Sequence, residues 1–563
     1  MAFLLGLLTL LAFAARTRAD SAPADPGLLL VGGTVYTSPE ARPQPASVVV
    51  RRGRIVFVGE ASRAKALAAD ARVLDVTGRF VFAGWADAHG HLAGLGEALE
   101  IADLRGSRSA AEAAGRMAAR AKGLAAGAWV EGRGWDQNLW PGQRFPDARD
   151  LDAAVSDRPA IAGRVDGHAV WVNSKALEAA GIGRETPDPP GGRIERRPDG
   201  SPSGVLVDVA AGLARRAVPE ATDADRERRL LAGARACARA GLTEVQDASL
   251  YDPKWIAALE RLAARRALPI RVYATVSPDA NDLPGELARG IHIGRGDDFL
   301  TVRAIKVIAD GALGSRGAAL LADYADAPGQ RGLLVTPQAR LDALALSARR
   351  SGWQLWVHAI GDRANRLALD AFRKAAAQLP NAPAGSERPR IEHAQVVAPE
   401  DIPRFGSEGV IASIQPTHAT SDMPWAEKRL GAERLRGAYA WRSLKRAGAR
   451  LAGGSDFPVE SENPLDGFYA AVTRRDLSGK PPGGWRPEER LTRAEALALY
   501  TTDAAWAAFE EDRRGKIVEG GDADLTVLAE DPMEAAEAEI PRIRPALVLV
   551  GGRVAFSSDA ETR

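Results

Sequence analysis

Residues 81–92 read VFAGWADAHGHL, and this stretch decides how the rest of the chain is interpreted. An apolar run ends in Asp87 and is followed by two histidines, which is typical of a buried strand with polar side chains at its end. His89 and His91 are two residues apart, and alternate side chains of extended backbone point the same way. The stretch therefore predicts a strand that presents two imidazoles to one site.

Seven further apolar runs alternate with helix-like patterns along the chain. With the first, the runs are residues 81–87, 242–247, 270–276, 300–309, 354–358, 390–394, 410–415 and 449–455. Amphipathic stretches at residues 223–240, 338–351 and 493–509 separate several of them. Eight strands with intervening helices are the count of an α/β fold of the (β/α)8 TIM-barrel type, whose chemistry lies at the carboxyl ends of the strands.

Two segments at opposite ends of the chain look alike. Residues 28–36 (LLLVGGTVY) and 547–556 (LVLVGGRVAF) each have the pattern of a strand, a Gly-Gly turn and a strand. We expect residues 27–80 and 512–558 to build one small composite β-sandwich, with the barrel at residues 81–511 inserted between them. Two unconnected hairpins are the alternative.

The interval between the first and second runs, within residues 95–240, is too long for one βα unit and must contain an insertion. Its Gly-, Pro- and Trp-rich stretches at residues 132–141 and 191–204 predict ordered loops, because exposed tryptophan is costly. We interpret the insertion as a cover over the barrel mouth. A lateral decoration that only adds stability is the alternative.

The composition is that of a soluble globular enzyme, with 46% hydrophobic and 26% charged residues in 563. Seventy-four basic and 73 acidic residues give a net charge of +1, so no overall field favours nucleic acid, and we expect a small-molecule substrate. The single cysteine, Cys237, excludes an internal disulfide and a cysteine-rich zinc site, so a metal would need nitrogen and oxygen ligands. A homo-oligomer is compatible with this composition.

The first residues predict export. Residues 3–15 (FLLGLLTLLAFAA) form an apolar run of signal-peptide length, so residues 1–19 are interpreted as a signal peptide and the protein as periplasmic or secreted. An uncleaved anchor is the alternative, because Arg16 and Arg18 follow the run and no basic residue precedes it. No later apolar stretch reaches the roughly twenty residues of a membrane span, so we expect no stable membrane insertion after processing.

Polar residues gather at the predicted strand ends. His358 ends the fifth run, His393 lies in the sixth, and Asp456 follows the eighth. Together with His89 and His91 they predict four imidazoles and one carboxylate at one barrel mouth, a donor set that suits Zn²⁺ or a related divalent ion. For each residue the alternative is a hydrogen-bonded barrel side chain.

Lys306 lies inside the apolar fourth run, where an ammonium group would lose its water. Burial lowers the pKa of a lysine and frees the amine, which can add carbon dioxide and become a carbamate able to bridge two metal ions. One or two ions are therefore expected. The alternative for Lys306 is a buried ion pair with Asp310.

Four other residues are candidates for substrate contact. They are His168 in the insertion, Asp310 and Arg316 in the DGALGSR segment, and His418 after the seventh run. Each has a structural role as its alternative.

The ordered set of motifs resembles the amidohydrolase family 3 group, which includes N-substituted formamide deformylases and other metal-dependent hydrolases. The resemblance extends over residues 28–556. Its matching stretches are GWADAHGHL (84–92), DGHAVWVNSKAL (166–177), IKVIADGALGSR (305–316), VHAIGDRAN (357–365), RIEHAQ (390–395) and GGSDFPVE (453–460). It implies a barrel with a small β-sandwich, metal on the first two histidines and hydrolysis of amide-type bonds. The metal roles it implies fall on His89, His91, Lys306, His358, His393 and Asp456.

The predicted reaction is hydrolysis of an amide-type C–N bond, other than a peptide bond, by a metal-activated hydroxide with Asp456 as acid and base. A metal-dependent deaminase is the enzymatic alternative. Deaminases on this barrel place a glutamate three residues after the fifth-strand histidine, where this chain has Gly361. A catalytically inactive binding protein is the other alternative, and it should lack a ligand or the eighth-strand aspartate, whereas both are present.

Overall fold

The computed structural model describes residues 27–165, 169–189, 192–278, 283–314, 316–381 and 387–559. The predicted signal peptide and His168 lie outside these ranges. Within them the strands, in chain order, are β1 (Leu28–Val35), β2 (Gln44–Arg51), β3 (Arg54–Gly59), β4 (Arg72–Asp75), β5 (Phe80–Ala83), β6 (Trp85–Gly90), β7 (Ala102–Asp103), β8 (Val130–Trp135), β9 (Ala160–Arg164), β10 (Ala169–Val172), β11 (Gly192–Arg196), β12 (Pro202–Asp208), β13 (Leu242–Tyr251), β14 (Arg271–Val276), β15 (His292–Gly294), β16 (Leu300–Ile308), β17 (Gln354–Ala359), β18 (Arg390–His393), β19 (Ile411–Ile414), β20 (Leu451–Gly453), β21 (Leu525–Leu528), β22 (Pro545–Val550) and β23 (Arg553–Ser557).

The helices of the same ranges are α1 (Ala61–Leu67), α2 (Leu92–Glu100), α3 (Ala110–Ala121), α4 (Ala148–Asp152), α5 (Ser174–Ala179), α6 (Ala211–Arg215), α7 (Asp223–Arg239), α8 (Pro253–Ala264), α9 (Leu283–Arg289), α10 (Arg295–Asp298), α11 (Gln338–Ser351), α12 (Asp362–Gln378), α13 (Ile402–Ser407), α14 (Pro416–Asp422), α15 (Ala426–Leu435), α16 (Trp441–Arg446), α17 (Pro464–Thr473), α18 (Arg493–Leu499) and α19 (Thr502–Ala507). No helix in the described part of the chain is long and apolar enough to cross a membrane.

The centre of the molecule is a (β/α)8 barrel. Its parallel strands follow the order β6-β13-β14-β16-β17-β18-β19-β20, so the predicted fold class is confirmed. Hydrogen bonds just beyond β20 bring the last strand to the first. The backbone N–H of Asp456 donates to the His89 carbonyl at 2.7 Å, and the Ser455 hydroxyl donates to the Asp87 carboxylate at 2.7 Å.

Helix α19 closes the end of the barrel opposite the strand carboxyl ends. Inside the barrel, the Gln246 and Gln354 amides donate to the carbonyls of Ala504 and Ala507, at 2.8 and 3.0 Å. The sequence predicts one amphipathic stretch over residues 493–509, whereas the structure divides it into α18 and α19. The packing of α19 against the interior side chains decides this break.

The first predicted run, residues 81–87, consists of two strands, which corrects the prediction of one. Val81–Ala83 belong to β5 in the terminal sheet, and the barrel strand β6 begins at Trp85. The chain passes between them at Gly84, where a Cβ atom would lie 2.3 Å from Thr243 Oγ1. Because both strands are buried at the break, both are apolar there, and the sequence pattern continues through the break without marking it.

The two chain ends share one sheet with the order β23-β22-β21-β5-β1-β2-β3, and β4 pairs with β1. The sheet folds back so that the Ile55 N–H donates to the Gly521 carbonyl at 2.9 Å, and it encloses a common apolar core. It is one continuous sheet that closes around this core. Gly551 and Gly552 form the predicted turn. Gly32 does not, because it lies at a bulge inside β1 with a φ of +80°.

The insertion forms a sheet of its own, with the order β11-β12-β10-β9-β8-β7. Trp135 and Trp140 are buried in its core with ring centroids 6.0 Å apart. The stretches predicted as loops contain strands instead: residues 132–141 begin in β8, and the described residues 192–204 of the second stretch hold β11 and the start of β12. Their glycines obscured the alternation of side chains. At position 204 of β12, for example, only glycine fits, because a Cβ atom there would lie 2.6 Å from the Val172 carbonyl oxygen.

Candidate metal centre

The site is built around Asp456, at the carboxyl ends of the barrel strands. His89 lies in β6, and His91 immediately precedes α2. Their Nε2 atoms lie 3.5 and 2.8 Å from Asp456 Oδ1. The approach is close because Gly454 leaves room, since a Cβ atom there would lie 2.4 Å from the His89 nitrogen. The structure therefore brings the predicted pair of imidazoles and the eighth-strand carboxylate together.

A second pair of histidines approaches the other oxygen of Asp456. His418 Nε2 lies 3.6 Å from Asp456 Oδ2, and the His418 and His393 rings stack with centroids 5.8 Å apart. His393, at the end of β18, has a φ of 74°, which is unusual for a residue other than glycine. This turn in the backbone places both His393 and the preceding Glu392 at the mouth.

Two groups of possible metal ligands therefore share one carboxylate. The ligand atoms of His89, His91 and Asp456 lie within 4.8 Å of one another, and those of His393, His418 and Asp456 do so as well. His418 was predicted as a substrate contact. Its position among the imidazoles instead gives it the geometry of a ligand.

His358 lies beside these groups, with its ring centroid 4.5 Å from that of His393. Burial and the nearby Lys306 ammonium lower the pKa of His358 to about 3, so its imidazole is neutral at physiological pH. The buried Nε2 atoms of His358 and His418 have no hydrogen-bond partner among the described residues. The neutral imidazole of His358 and the unpaired nitrogens of both rings, beside the Asp456 carboxylate, fit a divalent cation of the zinc type.

Lys306 points into the barrel below the histidines. It follows Ala304 by two residues on β16, and Ala304 packs with Trp356 in the barrel interior. Burial lowers the pKa of Lys306 to about 8, and this effect is only partly opposed by the carboxylates of Glu392 and Asp456. Among the described residues, no carboxylate lies within ion-pair distance of its amine. The alternative of an ion pair with Asp310 is therefore not what the structure contains.

Asp310 and Arg316 have other partners than a substrate. The fully buried Asp310 carboxylate accepts the backbone N–H groups of Ala319, Ile360 and Gly361 at 2.8, 3.0 and 2.8 Å. The Arg316 guanidinium donates to Asp326 at 2.9 and 3.1 Å. Both residues hold the segment after β16 in place, which favours the structural alternative for each.

The position expected for a deaminase glutamate cannot hold one. At Gly361 a Cβ atom would lie 2.0 Å from the Ala319 carbonyl oxygen. The neighbouring Asp362 is buried, and its carboxylate accepts the N–H of Leu321 at 2.8 Å. Neither position supplies a carboxylate to the mouth.

Three buried charged residues of the site were not predicted. Glu392 contacts His89 Nδ1, Arg390 donates to Glu392 Oε1 at 2.8 Å, and Asp87 accepts the His89 N–H at 2.9 Å. Burial raises the pKa of Asp87 to about 7, while Arg390 and His89 hold the pKa of Glu392 below its usual range. The sequence carried a signal for two of them, because the run RIEH places the charged residues Arg390 and Glu392 in a predicted strand. The run IKVI does the same for Lys306.

A cleft of about 770 Å³ opens onto the site between the barrel mouth and the insertion. His91, Ser249 and Pro458 line it on the barrel side, and Arg133 and Arg164 line it on the insertion side. The insertion thus forms one wall of the space that reaches His91.

Comparison with known proteins agrees with this geometry. A family model described as the amidohydrolase family matches residues 72–556. Amidohydrolase YtcJ of Bacillus subtilis (strain 168) is 34% identical over 534 residues, which cover 93% of this chain and 98% of that protein. N-substituted formamide deformylase of Arthrobacter pascens is 29% identical over 541 residues, covering 93% and 97%. The crystal structure of an uncharacterized metal-dependent hydrolase from Pyrococcus horikoshii OT3 is similar with a TM-score of 0.77 and 28% identity, covering 91% of this chain and 99% of that one. The chain therefore belongs to the amidohydrolase family of metal-dependent hydrolases.

Proposed function

We propose that this protein hydrolyses an amide-type C–N bond, other than a peptide bond, in a small-molecule substrate that enters through the cleft. The observation that carries the proposal is the position of Asp456, whose two oxygens face imidazoles on opposite sides at 2.8 and 3.6 Å. A carboxylate in this position can serve both in holding a cation and in moving a proton.

The donor set favours Zn²⁺ among the divalent ions. His89, His91 and Asp456 would hold one ion, and His393 and His418 would hold a second with the same carboxylate. His358 would supply a further nitrogen beside His393. A bound divalent cation would lower the pKa of water towards neutrality and polarise a substrate carbonyl.

Asp456 is the group we assign to proton transfer. Its carboxylate would accept a proton as water attacks the carbonyl carbon and would then deliver that proton to the leaving nitrogen. The insertion wall would orient the substituent on that nitrogen and restrict water in the cleft. The Arthrobacter pascens relative is named for N-substituted formamides, and this supports an amide with a substituted nitrogen as the substrate class.

Lys306 would become a carbamate under this proposal. Its neutral amine would form an N–C bond with carbon dioxide and release a proton, and the new anion has two oxygens that suit a pair of cations. Support comes from its burial and from the absence of an ion-pair partner among the described residues. Lys306→Ala should lose activity and part of its metal, and short carboxylic acids should restore some of both. Full metal content and near-normal turnover in that variant would contradict the carbamate.

Metal analysis tests the proposed function. The double variant His89→Ala/His91→Ala should retain the fold and lose most of its metal, along with hydrolysis of a panel of N-substituted formamides, amides, cyclic imides and esters. His292→Ala is the matched control, because His292 lies on β15 at the edge of the barrel and its nearest carboxylate is Glu260, at 3.4 Å. The double variant with full metal content, or wild-type protein without metal-dependent hydrolysis, would refute the proposal.

We also propose export, on the sequence evidence of residues 1–19 alone. The mature protein should begin near residue 20, and amino-terminal sequencing that finds Met1 would contradict this.

A further inference from the structure

We infer that Glu392, held by Arg390, is a positioning residue that sets the orientation and tautomer of His89 for metal binding. The inference rests on the proposed metal site. It assigns a role to a buried ion pair that the hydrolytic mechanism does not itself use.

Glu392 is placed to hold one nitrogen of the His89 ring. Its side chain is fully buried, and its Oε2 atom contacts His89 Nδ1. A carboxylate only accepts hydrogen bonds, so the proton of a neutral His89 ring must lie on Nδ1. Nε2 is then left with its lone pair, and Nε2 is the atom that lies 3.5 Å from Asp456 Oδ1. The contact therefore selects the tautomer that can bind a cation.

Glu392 cannot turn away from His89. Arg390 donates to its Oε1 from Nε at 2.8 Å and to its Oε2 from Nη2 at 3.2 Å. This two-point contact fixes the plane of the carboxylate as well as its position.

Arg390 is itself held in place by several strands of the barrel. Its guanidinium also donates to Gln246 Oε1 at 2.6 Å, to the Ala88 carbonyl at 2.7 Å and to Ser413 Oγ at 3.0 Å. It lies over the Trp356 ring, 3.7 Å from the centroid. Arg390 thus joins strands β6, β13, β17 and β19 to its own strand β18. Because Ala88 precedes His89, the same cation fixes the backbone and, through Glu392, the ring.

A purely structural role is the competing explanation. A buried ion pair contributes little net stability compared with apolar residues of similar volume, because both charges lose their water. The carboxylate of this ion pair contacts His89, 303 residues away in sequence. The presence of the pair is therefore better explained by its effect on that histidine. Carboxylates behind metal-binding histidines orient the ring and increase its basicity, and removing them weakens metal binding about 10- to 100-fold.

The experiment compares metal affinity in full-length variants stripped of metal. Glu392→Gln keeps the shape and an acceptor oxygen but removes the charge, and we expect its dissociation constant for Zn²⁺, measured by chelator competition, to rise about 10- to 100-fold. Glu392→Asp keeps the charge but withdraws the carboxylate by one methylene, so a smaller rise is expected. The absorption spectrum of the Co²⁺-loaded protein should change in both variants, because it reports the geometry of the ligands.

Glu489→Gln is the matched control. Glu489 is also buried, and its carboxylate accepts the backbone N–H of Ser443 at 3.0 Å, away from the strand ends. This variant should lose thermal stability without any change in Zn²⁺ affinity or in the Co²⁺ spectrum.

The outcomes separate the two proposals. Wild-type protein that binds no metal would refute the proposed function. Wild-type protein that binds metal, together with a folded Glu392→Gln variant of unchanged affinity and spectrum, would refute only the positioning role. If Glu392→Gln does not fold, Glu392→Asp decides the question, because it preserves the charge pair with Arg390. Wild-type affinity in that variant would then overturn the inference.

Discussion

Asp456 adopts a backbone conformation that few residues other than glycine adopt, with a φ of 61°. Such a conformation costs on the order of 1–3 kcal/mol and persists only where its surroundings enforce it. Here the Asp456 N–H donates to the His89 carbonyl at 2.7 Å, and Asp87 holds the preceding Ser455. The enforced conformation turns the carboxylate towards the imidazoles on both sides.

The first prediction concerns the charge of Asp456. Asp456→Asn should lower kcat by about 10²- to 10⁴-fold with a smaller effect on KM, because an amide cannot accept and return the proton. Steady-state kinetics together with elemental analysis test this, since part of the metal should remain on the histidines. A variant that keeps wild-type kcat would remove Asp456 from proton transfer.

At the scale of elements, the segment between β16 and α11 is tied to the barrel through Asp310. Both oxygens of this carboxylate accept N–H groups, from Ala319 within the segment and from Ile360 and Gly361 after β17. Its Oδ1 also lies 3.7 Å from His358 Nε2. The segment therefore takes its position from the strand that carries a site histidine.

The second prediction separates the structural and substrate-binding roles of Asp310. Asp310→Asn offers one acceptor oxygen where the carboxylate uses two, so a buried N–H group loses its acceptor. The free energy of unfolding should fall by about 1–3 kcal/mol. Urea denaturation should show this loss of stability. Unchanged stability with a raised KM would instead support contact with the substrate.

At the scale of the whole molecule, a buried ion pair joins the barrel to the terminal sheet. Arg271, on β14, donates to the Asp524 carboxylate at 2.7 and 2.9 Å, just before β21. Asp524 also accepts the N–H of Gly551 at 2.7 Å. The carboxyl-terminal strands of the terminal sheet are in this way fixed against the base of the barrel.

The third prediction is that Arg271→Met removes both hydrogen bonds to Asp524, leaves Arg514 at 3.7 Å as the remaining counter-charge, and destabilises the protein by up to about 3–5 kcal/mol. Adding Asp524→Asn should recover part of that loss, because the poorly compensated charge is then removed. Urea denaturation of the single and double variants tests both statements. If the stability losses of the two single variants simply add up in the double variant, the two residues do not act as a pair.

The same pair gives the fourth prediction, on acid stability. Arg271 holds the pKa of Asp524 below its usual value, so the unfolded chain binds the proton more readily than the folded one. The contribution is therefore complete above the unfolded pKa of about 3.9 and is lost as the pH falls below it. Arg271→Met should flatten the loss of stability between about pH 4 and pH 2. An unchanged pH dependence would contradict this.

The sequence by itself determined the order of the eight strands and the polar residues at their ends. Apolar runs and the i, i+2 spacing of His89 and His91 are properties of neighbouring residues, and local backbone geometry converts them directly into strands with side chains on one face. Lys306 was recognisable for the same reason, as a charge within an apolar run. The family motifs also follow the chain in order.

Only the tertiary structure decided which atoms meet. Glu392 contacts His89 across 303 residues, and His418 joins the imidazoles because closure of the barrel leaves only β20 between β19 and β6. The break at Gly84 between β5 and β6 and the break between α18 and α19 depend on packing between elements. The apolar pattern of the sequence continues through both breaks and does not reveal them. Partners distant in sequence leave no local periodicity, so they become visible only when barrel closure fixes the distances between strand ends.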